Sequence, residues 1–128
     1  MKAIDTNVVV RYLVRDHPDH AARARAVLDH ERTFLPVSVL LETDWVLRSA
    51  YGFSRSRVVE AIRALAGLPG VTLENPGLVA DALLNARRGM DFADALHLAA
   101  SSGCDALLTL DRRFIRKARV AAPPVSSP

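Results

Sequence analysis

The stretch KAIDTN, residues 2–7, indicates the fold class of this chain most directly. Lys2-Ala3-Ile4 is a short apolar run, and it predicts a buried strand that ends at Asp5. A helix is predicted directly after it, over Asn7–Val14, because apolar residues recur there at helical spacing. The chain therefore begins with a strand and a helix, and an acidic residue lies at their junction.

The same alternation continues along the chain. Further strands are predicted at residues 33–37, 71–73 and 106–110, the last of them clearly buried, and Val120-Ala121 predicts a final one. Helices are predicted at residues 18–31, 38–52, 54–66, 76–88 and 91–103, with Asp16, Ser38, Ser54 and Asp91 as N-terminal caps. Short apolar strands that alternate with helices predict a parallel sheet covered on both faces.

Length and composition exclude several classes of protein. A chain of 128 residues predicts one domain, here residues 1–122, with 123–128 as a flexible tail. Its 50% hydrophobic and 24% charged residues exclude a disordered chain. A single cysteine, Cys104, excludes a disulfide framework, and it is predicted to be a small buried residue. No apolar run approaches the ~18 residues of a membrane span, so we expect a cytoplasmic protein without membrane contact.

The net charge of +3 is too small to indicate a nucleic-acid partner by itself. The 17 basic residues are 15 arginines and two lysines. Arginine suits bidentate phosphate contacts, but a GC-rich genome explains the excess more simply. With the four acids discussed below set aside, 17 basic residues face ten acids, which describes a basic shell around one acidic pocket.

Acidic residues fall where the strands end. Asp5 and Asp111 follow strands, Glu42 lies in the first turns of the helix after the second strand, and Asp91 and Asp94 begin a helix. The carboxyl ends of parallel strands share one edge of a sheet, so we expect these acids to converge there. Converging carboxylates repel one another, and a divalent cation relieves that conflict. Oxygen ligands with few His or Cys favour Mg²⁺ or Mn²⁺.

Each acid taken singly also has a purely structural interpretation. Asp91 and Asp111 could cap the helices that they precede, Asp5 could form an Asx-turn, and Glu42 could pair with an arginine. These alternatives are each stronger than a catalytic role for one acid alone. Four acids gathered at one sheet edge favour the functional interpretation.

The order of these motifs resembles the PIN domain, and in particular the VapC-type toxins of type II toxin–antitoxin modules. The resemblance is carried by Asp5-Thr6-Asn7, the stretch VSVLLETDWVL around Glu42, RSAYGFSR, the stretch DFADAL around Asp94, and Thr109-Leu110-Asp111, in this order. It covers Met1 to about Val120. It implies a three-layer α/β/α fold with a central parallel sheet of four to five short strands.

The resemblance also implies a ribonuclease that depends on Mg²⁺ or Mn²⁺ and cleaves by in-line attack of an activated water. Its acid quartet maps onto Asp5, Glu42, Asp94 and Asp111. Asp5, Asp94 and Asp111 would hold the metal, with Glu42 acting through water. The supporting residues would be Thr6, Asn7, Asp91 and Thr109. The implied partners are RNA, a cognate VapB-like antitoxin and a second copy of the chain, which would pack through the apolar helices around Trp45 and Ser54–Ala66.

Two rival interpretations remain. One is another Asp- and Mg²⁺-dependent phosphohydrolase, although haloacid-dehalogenase-like phosphatases need a second Asp where this chain has Asn7. The other is a catalytically silent PIN-like protein that only binds an antitoxin. The nuclease interpretation is favoured over both, because all four acids are present.

Several residues outside the quartet need an interpretation. A basic stretch follows Asp111 and offers phosphate contacts, with a solvated face as the simpler alternative; it consists of the RNA-binding candidates Arg112, Arg113 and Arg116 together with Lys117 and Arg119. Trp45 is predicted to pack in the core or in a dimer. Other predictions place Asp44, His17 and His20 at the surface and His97 partly buried on its helix.

Overall fold

The computed structural model describes residues 1–128, which form seven helices and five short strands. The elements are β1 (Lys2–Ala3), α1 (Thr6–Val14), α2 (Pro18–His30), β2 (Thr33–Leu35), α3 (Val37–Tyr51), α4 (Arg55–Ala66), β3 (Val71–Leu73), α5 (Pro76–Arg87), α6 (Phe92–Ala100), β4 (Leu107–Leu108), α7 (Arg112–Lys117) and β5 (Val125–Ser126). The chain divides into two compact units, Met1–Pro76 and Gly77–Pro128. One domain over residues 1–122 stays a prediction.

The N-terminal unit is built on a three-stranded sheet of order β1-β2-β3. Both strand pairs are parallel, as predicted, and Thr33 of β2 aligns with Lys2 on one side and Val71 on the other. Helix α1 packs against α2 and α3, while α4 packs against α3 and β3. The largest side chains that this unit buries completely are aliphatic, and they include Leu28, Leu35, Leu40, Leu47, Ile62 and Leu65. Burial of their apolar surface stabilises the unit.

Two predicted helix caps are wrong, and the residues next to them explain why. His17 rather than Asp16 caps α2: its Nδ1 accepts the His20 N–H at 3.2 Å, and Pro18 occupies the first helical position. Helix α3 begins ahead of Ser38, after Pro36, and its first N–H is satisfied from elsewhere in the unit.

That first N–H belongs to Val37, and it donates to the Glu74 carboxylate at 2.8 Å. The cap of α4 is as predicted, because Ser54 Oγ accepts the Arg57 N–H at 3.2 Å. The predicted end of α3 is also confirmed: Gly52, at φ 68°, adopts the left-handed conformation that ends many helices.

The C-terminal unit contains α5, α6 and α7 and a parallel pair of β4 and β5. The predicted buried strand over residues 106–110 is shorter and less buried than expected, because Leu108 is 60% and Leu110 82% exposed. The last strand lies at Val125–Ser126, inside the segment predicted as a tail, and not at Val120-Ala121. The backbone turns at that earlier position, where the Ala121 N–H donates to the Ala118 carbonyl at 2.9 Å.

Two further observations concern burial and length. Cys104 is exposed, so the prediction of a buried cysteine is wrong. None of the helices combines the length and the apolar character that a membrane span requires.

Candidate active site

The N-terminal unit contains a cavity of about 350 Å³ that holds two of the four predicted acids. We call it the acid cavity. Its lining residues are Asp5, Thr6, Asn7, Val10, Arg11, Glu42, Val46 and Tyr51. Two acids that are 37 residues apart in the sequence thus lie in one concavity, as the strand-end argument predicts for this half of the quartet.

Asp5 has a structural role that leaves part of its carboxylate available. It follows β1 and caps α1, where its Oδ1 accepts the Thr6 N–H at 2.7 Å. Asp5 therefore caps the helix through the Thr6 N–H and does not form the Asx-turn with Asn7 that the sequence also allowed. The Oδ2 atom accepts no hydrogen bond from the chain, so one oxygen remains for a ligand.

Glu42 is an exposed residue on α3 and forms neither an ion pair nor a hydrogen bond with the chain. The ion pair between Glu42 and an arginine, which the sequence offered as an alternative role, is therefore absent. The only cation that lines the acid cavity, Arg11, is bound to Asp16 instead, with Nη1 2.8 Å from Oδ1. The cavity thus presents two carboxylates without a cation dedicated to either of them.

Thr6 adds a polar group that the fold leaves unsatisfied. Its side chain is 7% exposed, and its Oγ1 has no hydrogen-bond partner. Buried hydroxyls are normally hydrogen-bonded, so an unpartnered one at the wall of a cavity indicates a place for a water or a ligand. The neighbouring Asn7 contributes a carboxamide to the same wall.

Two polar residues of the acid cavity, Arg11 and Tyr51, were not among the predicted site residues. Arg11 follows Asn7 by one helical turn, so the helical spacing of α1 could have identified it. Tyr51 lies at the end of α3, more than two turns beyond Glu42 and within the stretch RSAYGFSR, in which no role is predicted for the tyrosine itself. Its hydroxyl donates to Asp16 Oδ2 at 3.2 Å, which connects it to the Asp16–Arg11 pair.

The remaining acids lie in the C-terminal unit, at the beginnings of two helices. Asp91 caps α6 through the N–H groups of Ala93 and Asp94, at 3.0 and 3.3 Å, so its structural interpretation as a cap is confirmed. Asp94 occupies the first turn of α6.

Asp111 caps α7 by accepting the N–H groups of Arg113 and Phe114 at 2.9 and 3.2 Å. The supporting position Thr109 is next to it, because Thr109 Oγ1 accepts the Asp111 N–H at 3.1 Å. Neither unit alone contains a group of three His, Cys, Asp or Glu side chains arranged to hold a metal ion. The convergence of all four acids stays a prediction.

Three side chains near the predicted site differ from expectation. Asp44 is 2% exposed rather than at the surface, because Arg48 one turn later binds both of its carboxylate oxygens at 3.1 Å. Trp45 is 65% exposed, so the prediction of core packing is wrong. His97 on α6 is exposed, so the prediction that it is partly buried is wrong. His17 and His20 lie at the surface as predicted, with their rings stacked 3.8 Å apart.

Comparison with known proteins gives one family. The chain matches no curated protein. The model of the PIN domain family matches residues 2–120, which include all four acids of the predicted quartet. Seven helices and parallel strands are consistent with the α/β/α fold expected of that family. The chain belongs to the PIN domain family.

Proposed function

We propose that this protein is a divalent-metal-dependent endoribonuclease, and that it acts as the toxin of a type II toxin–antitoxin module. PIN domains are typically nucleases. The observation that carries the proposal is the acid cavity, in which Asp5 and Glu42 lie together without a cation of their own. A site that hydrolyses phosphodiesters with metal help needs such uncompensated carboxylates.

The donor set of the acid cavity fits Mg²⁺ or Mn²⁺. Carboxylate, carboxamide and hydroxyl oxygens are the hard ligands that these ions prefer, and no thiol lines the cavity. In the proposal, Asp5 Oδ2 and the Glu42 carboxylate hold the ion or its water ligands. Asp94 and Asp111 are further proposed ligands on the strength of the resemblance.

A bound divalent cation would supply an activated water and neutralise charge on the phosphoryl group. The chain would supply position. Capping of α1 fixes the Asp5 carboxylate, and the Thr6 hydroxyl can hydrogen-bond a water within the cavity. Asn7 can orient the same water or a phosphate oxygen, while Arg11 in the lining, although paired with Asp16, adds positive charge beside the site.

The test is cleavage of RNA by the purified protein with Mg²⁺ or Mn²⁺ and with EDTA. We expect cleavage that EDTA abolishes, and a loss of at least about 100-fold in the Asp5→Asn and Glu42→Gln variants. The matched control is Glu60→Gln, which removes one carboxylate from the exposed face of α4 and should leave the rate unchanged. Normal cleavage by Asp5→Asn would contradict the proposal.

Binding of Mn²⁺ measured by calorimetry separates the nuclease from the silent antitoxin-binding protein. The nuclease requires a metal site that Glu42→Gln weakens. Absence of both metal binding and cleavage in the folded protein would instead support a binding role alone.

The proposed protein partners are a VapB-like antitoxin and a second copy of the chain. Exposed Trp45 supports a protein contact on α3, because large aromatic residues are enriched where proteins bind one another. The main apolar residues of α4, among them Val58 and Ile62, are buried within the chain, so a dimer contact through α4 would use its exposed residues. Light scattering of wild type and Trp45→Ser tests the dimer, and copurification with the product of an adjacent reading frame tests the antitoxin.

A further inference from the structure

The C-terminal unit contains a cleft of about 600 Å³ whose charged lining is entirely basic. We call it the basic cleft. It is lined by Asn85, Arg88, Met90, Arg116, Lys117 and Arg119, together with the apolar residues Val120 and Ala121. Arg116, Lys117 and Arg119 all belong to the basic stretch after Asp111, and Arg116 is one of its three named RNA-binding candidates; the other two, Arg112 and Arg113, do not line the cleft.

One wall of the basic cleft is the turn that follows α5. The N–H groups of Arg88 and Met90 both donate to the Asn85 carbonyl at 3.1 Å, which folds the chain back on itself. Gly89 makes this turn possible, because its φ of 104° is a conformation that residues with a Cβ rarely adopt. Met90 is 4% exposed and anchors the wall.

The other wall is the end of α7 and the turn after it. Phe114 and Ala118 are 4% and 2% exposed, and α7 packs against β5. Their backbones are joined as well, since the Ala118 N–H donates to the Phe114 carbonyl at 3.0 Å. Lys117 reaches across toward the first wall, where a Cβ on Gly89 would lie 3.3 Å from its Nζ. The four cations therefore project from backbone that is held in place.

None of these four cations is compensated by the chain. Arg88, Arg116, Lys117 and Arg119 are exposed, and their side chains form no ion pair or hydrogen bond. A second cavity with basic residues, in the N-terminal unit, differs in this respect.

That second cavity contains Arg11, bound to Asp16 at 2.8 Å, and Arg23, 3.9 Å from Asp19. Its positive charge is thus partly neutralised, whereas the charge of the basic cleft is not. Like charges held close together repel, and an anion bound between them relieves that repulsion.

We propose that the basic cleft binds the sugar–phosphate backbone of a single RNA strand, at a site of its own within the C-terminal unit. Arginines bind phosphate oxygens in bidentate geometry, and the Asn85 carboxamide can donate to a sugar or phosphate oxygen. No aromatic side chain lines the cleft, so it has neither a platform for stacking bases nor the aromatic anchor common at protein interfaces. Because the proposed contacts are to phosphate and sugar, recognition is independent of base sequence. The proposal rests on the proposed function only in the choice of RNA as the polyanion.

The test is the binding of a fluorescently labelled single-stranded RNA, measured by anisotropy in EDTA at several NaCl concentrations. We expect Arg88→Gln/Arg116→Gln to bind at least 10-fold more weakly at 100 mM NaCl, while its circular dichroism stays that of wild type. Two lost phosphate contacts also reduce the slope of log K against log [NaCl] by about 1.4. The matched control, Arg32→Gln/Arg87→Gln, removes the same charge from exposed arginines outside the cleft and should change affinity less than twofold.

A second cleft variant, Lys117→Gln/Arg119→Gln, should reproduce the loss. Equal losses in the cleft and control variants would mean a general charge effect and would overturn the proposal. So would displacement of the RNA by polyglutamate at an equal concentration of charge, because that outcome indicates an acidic protein as the partner. Binding in EDTA does not depend on catalysis, so a chain that binds RNA through the cleft without cleaving it would contradict only the nuclease proposal.

Discussion

The Asp44 carboxylate is 2% exposed and accepts hydrogen bonds from Nε and Nη2 of Arg48, both at 3.1 Å. Helical spacing brings the two residues together, since they are one turn apart on α3. A charge held away from water depends on its partner, which makes this ion pair different from those at the surface.

Arg48→Met should therefore destabilise the protein substantially. Removing the guanidinium from a buried carboxylate costs about 3–5 kcal/mol, and we expect about 2–4 kcal/mol because the Arg48 side chain is 28% exposed. Urea unfolding followed by circular dichroism measures the loss. The matched control is Glu60→Gln, which breaks the exposed 3.6 Å pair with Arg63 and should cost less than about 0.5 kcal/mol. Equal stability of the two variants would contradict a special role for the buried pair.

Asp5 combines a structural role with a proposed catalytic one, and two substitutions separate them. Asp5→Asn keeps an oxygen that can accept the Thr6 N–H, so stability should stay near that of wild type while cleavage is lost. Asp5→Ala removes the cap as well and should cost about 1 kcal/mol in addition. Thermal unfolding and RNA cleavage are compared on the same samples. An Asp5→Ala protein as stable as Asp5→Asn would show that the cap contributes nothing.

Helices were easier to predict than strands in this chain, for a physical reason. A helix such as α4 can be predicted from local features, namely the cap residue Ser54 and apolar residues at regular spacing. The strand over residues 106–110 was predicted from an apolar run alone. Such a run does not show which of its leucines will be buried by another segment of the chain. Leu108 and Leu110 are exposed, and the partner of β4 comes from the tail at Val125–Ser126. Local sequence patterns cannot predict which distant segments pair as strands.

The edge between β2 and β3 depends on a close backbone approach at Gly70. The Thr33 N–H donates to the Gly70 carbonyl at 2.8 Å, and a Cβ on Gly70 would clash with the Glu31 carbonyl oxygen. Gly70→Ala should therefore force the backbone apart and cost about 1–3 kcal/mol in urea unfolding. Gly103→Ala is the control, because a Cβ there meets nothing within 4 Å and the change should stay within about 0.5 kcal/mol. A Gly70→Ala protein as stable as the control would refute the close approach.

Across the whole molecule, whether a site could be predicted from the sequence depends on which elements carry its residues. Asp5 and Glu42 could be assigned to one place because parallel strands deliver their carboxyl ends to a common edge. No such rule joins the end of α5 to the end of α7, so Arg88 could not be linked to Arg116 from the sequence. The net charge of +3 indicates neither site, because the negative charge of the acid cavity and the positive charge of the basic cleft largely cancel in the sum.

Asp16, which connects α1 to the end of α3, should contribute to the acid sensitivity of the N-terminal unit. Arg11 contacts its Oδ1 at 2.8 Å, and the Tyr51 hydroxyl donates to its Oδ2 at 3.2 Å. Desolvation raises the pKa of Asp16, but the hydrogen bonds from Arg11 and Tyr51 and the charge of Arg11 outweigh it. The pKa of the folded state therefore lies below the ordinary value of 3.8.

A carboxyl whose pKa is lower in the folded than in the unfolded state stabilises the fold while it is ionised. This contribution of Asp16 is complete well above pH 3.8 and is lost as the pH falls through the lower, folded-state pKa. Asp16→Asn should therefore be less stable than wild type at pH 6, and the gap should narrow between about pH 4 and pH 2. Urea unfolding at a series of pH values measures the gap, and Asp19→Asn, which removes an exposed carboxylate 3.9 Å from Arg23, is the control. A gap of constant size from pH 6 to pH 2 would show that the lowered pKa of Asp16 makes no contribution to stability.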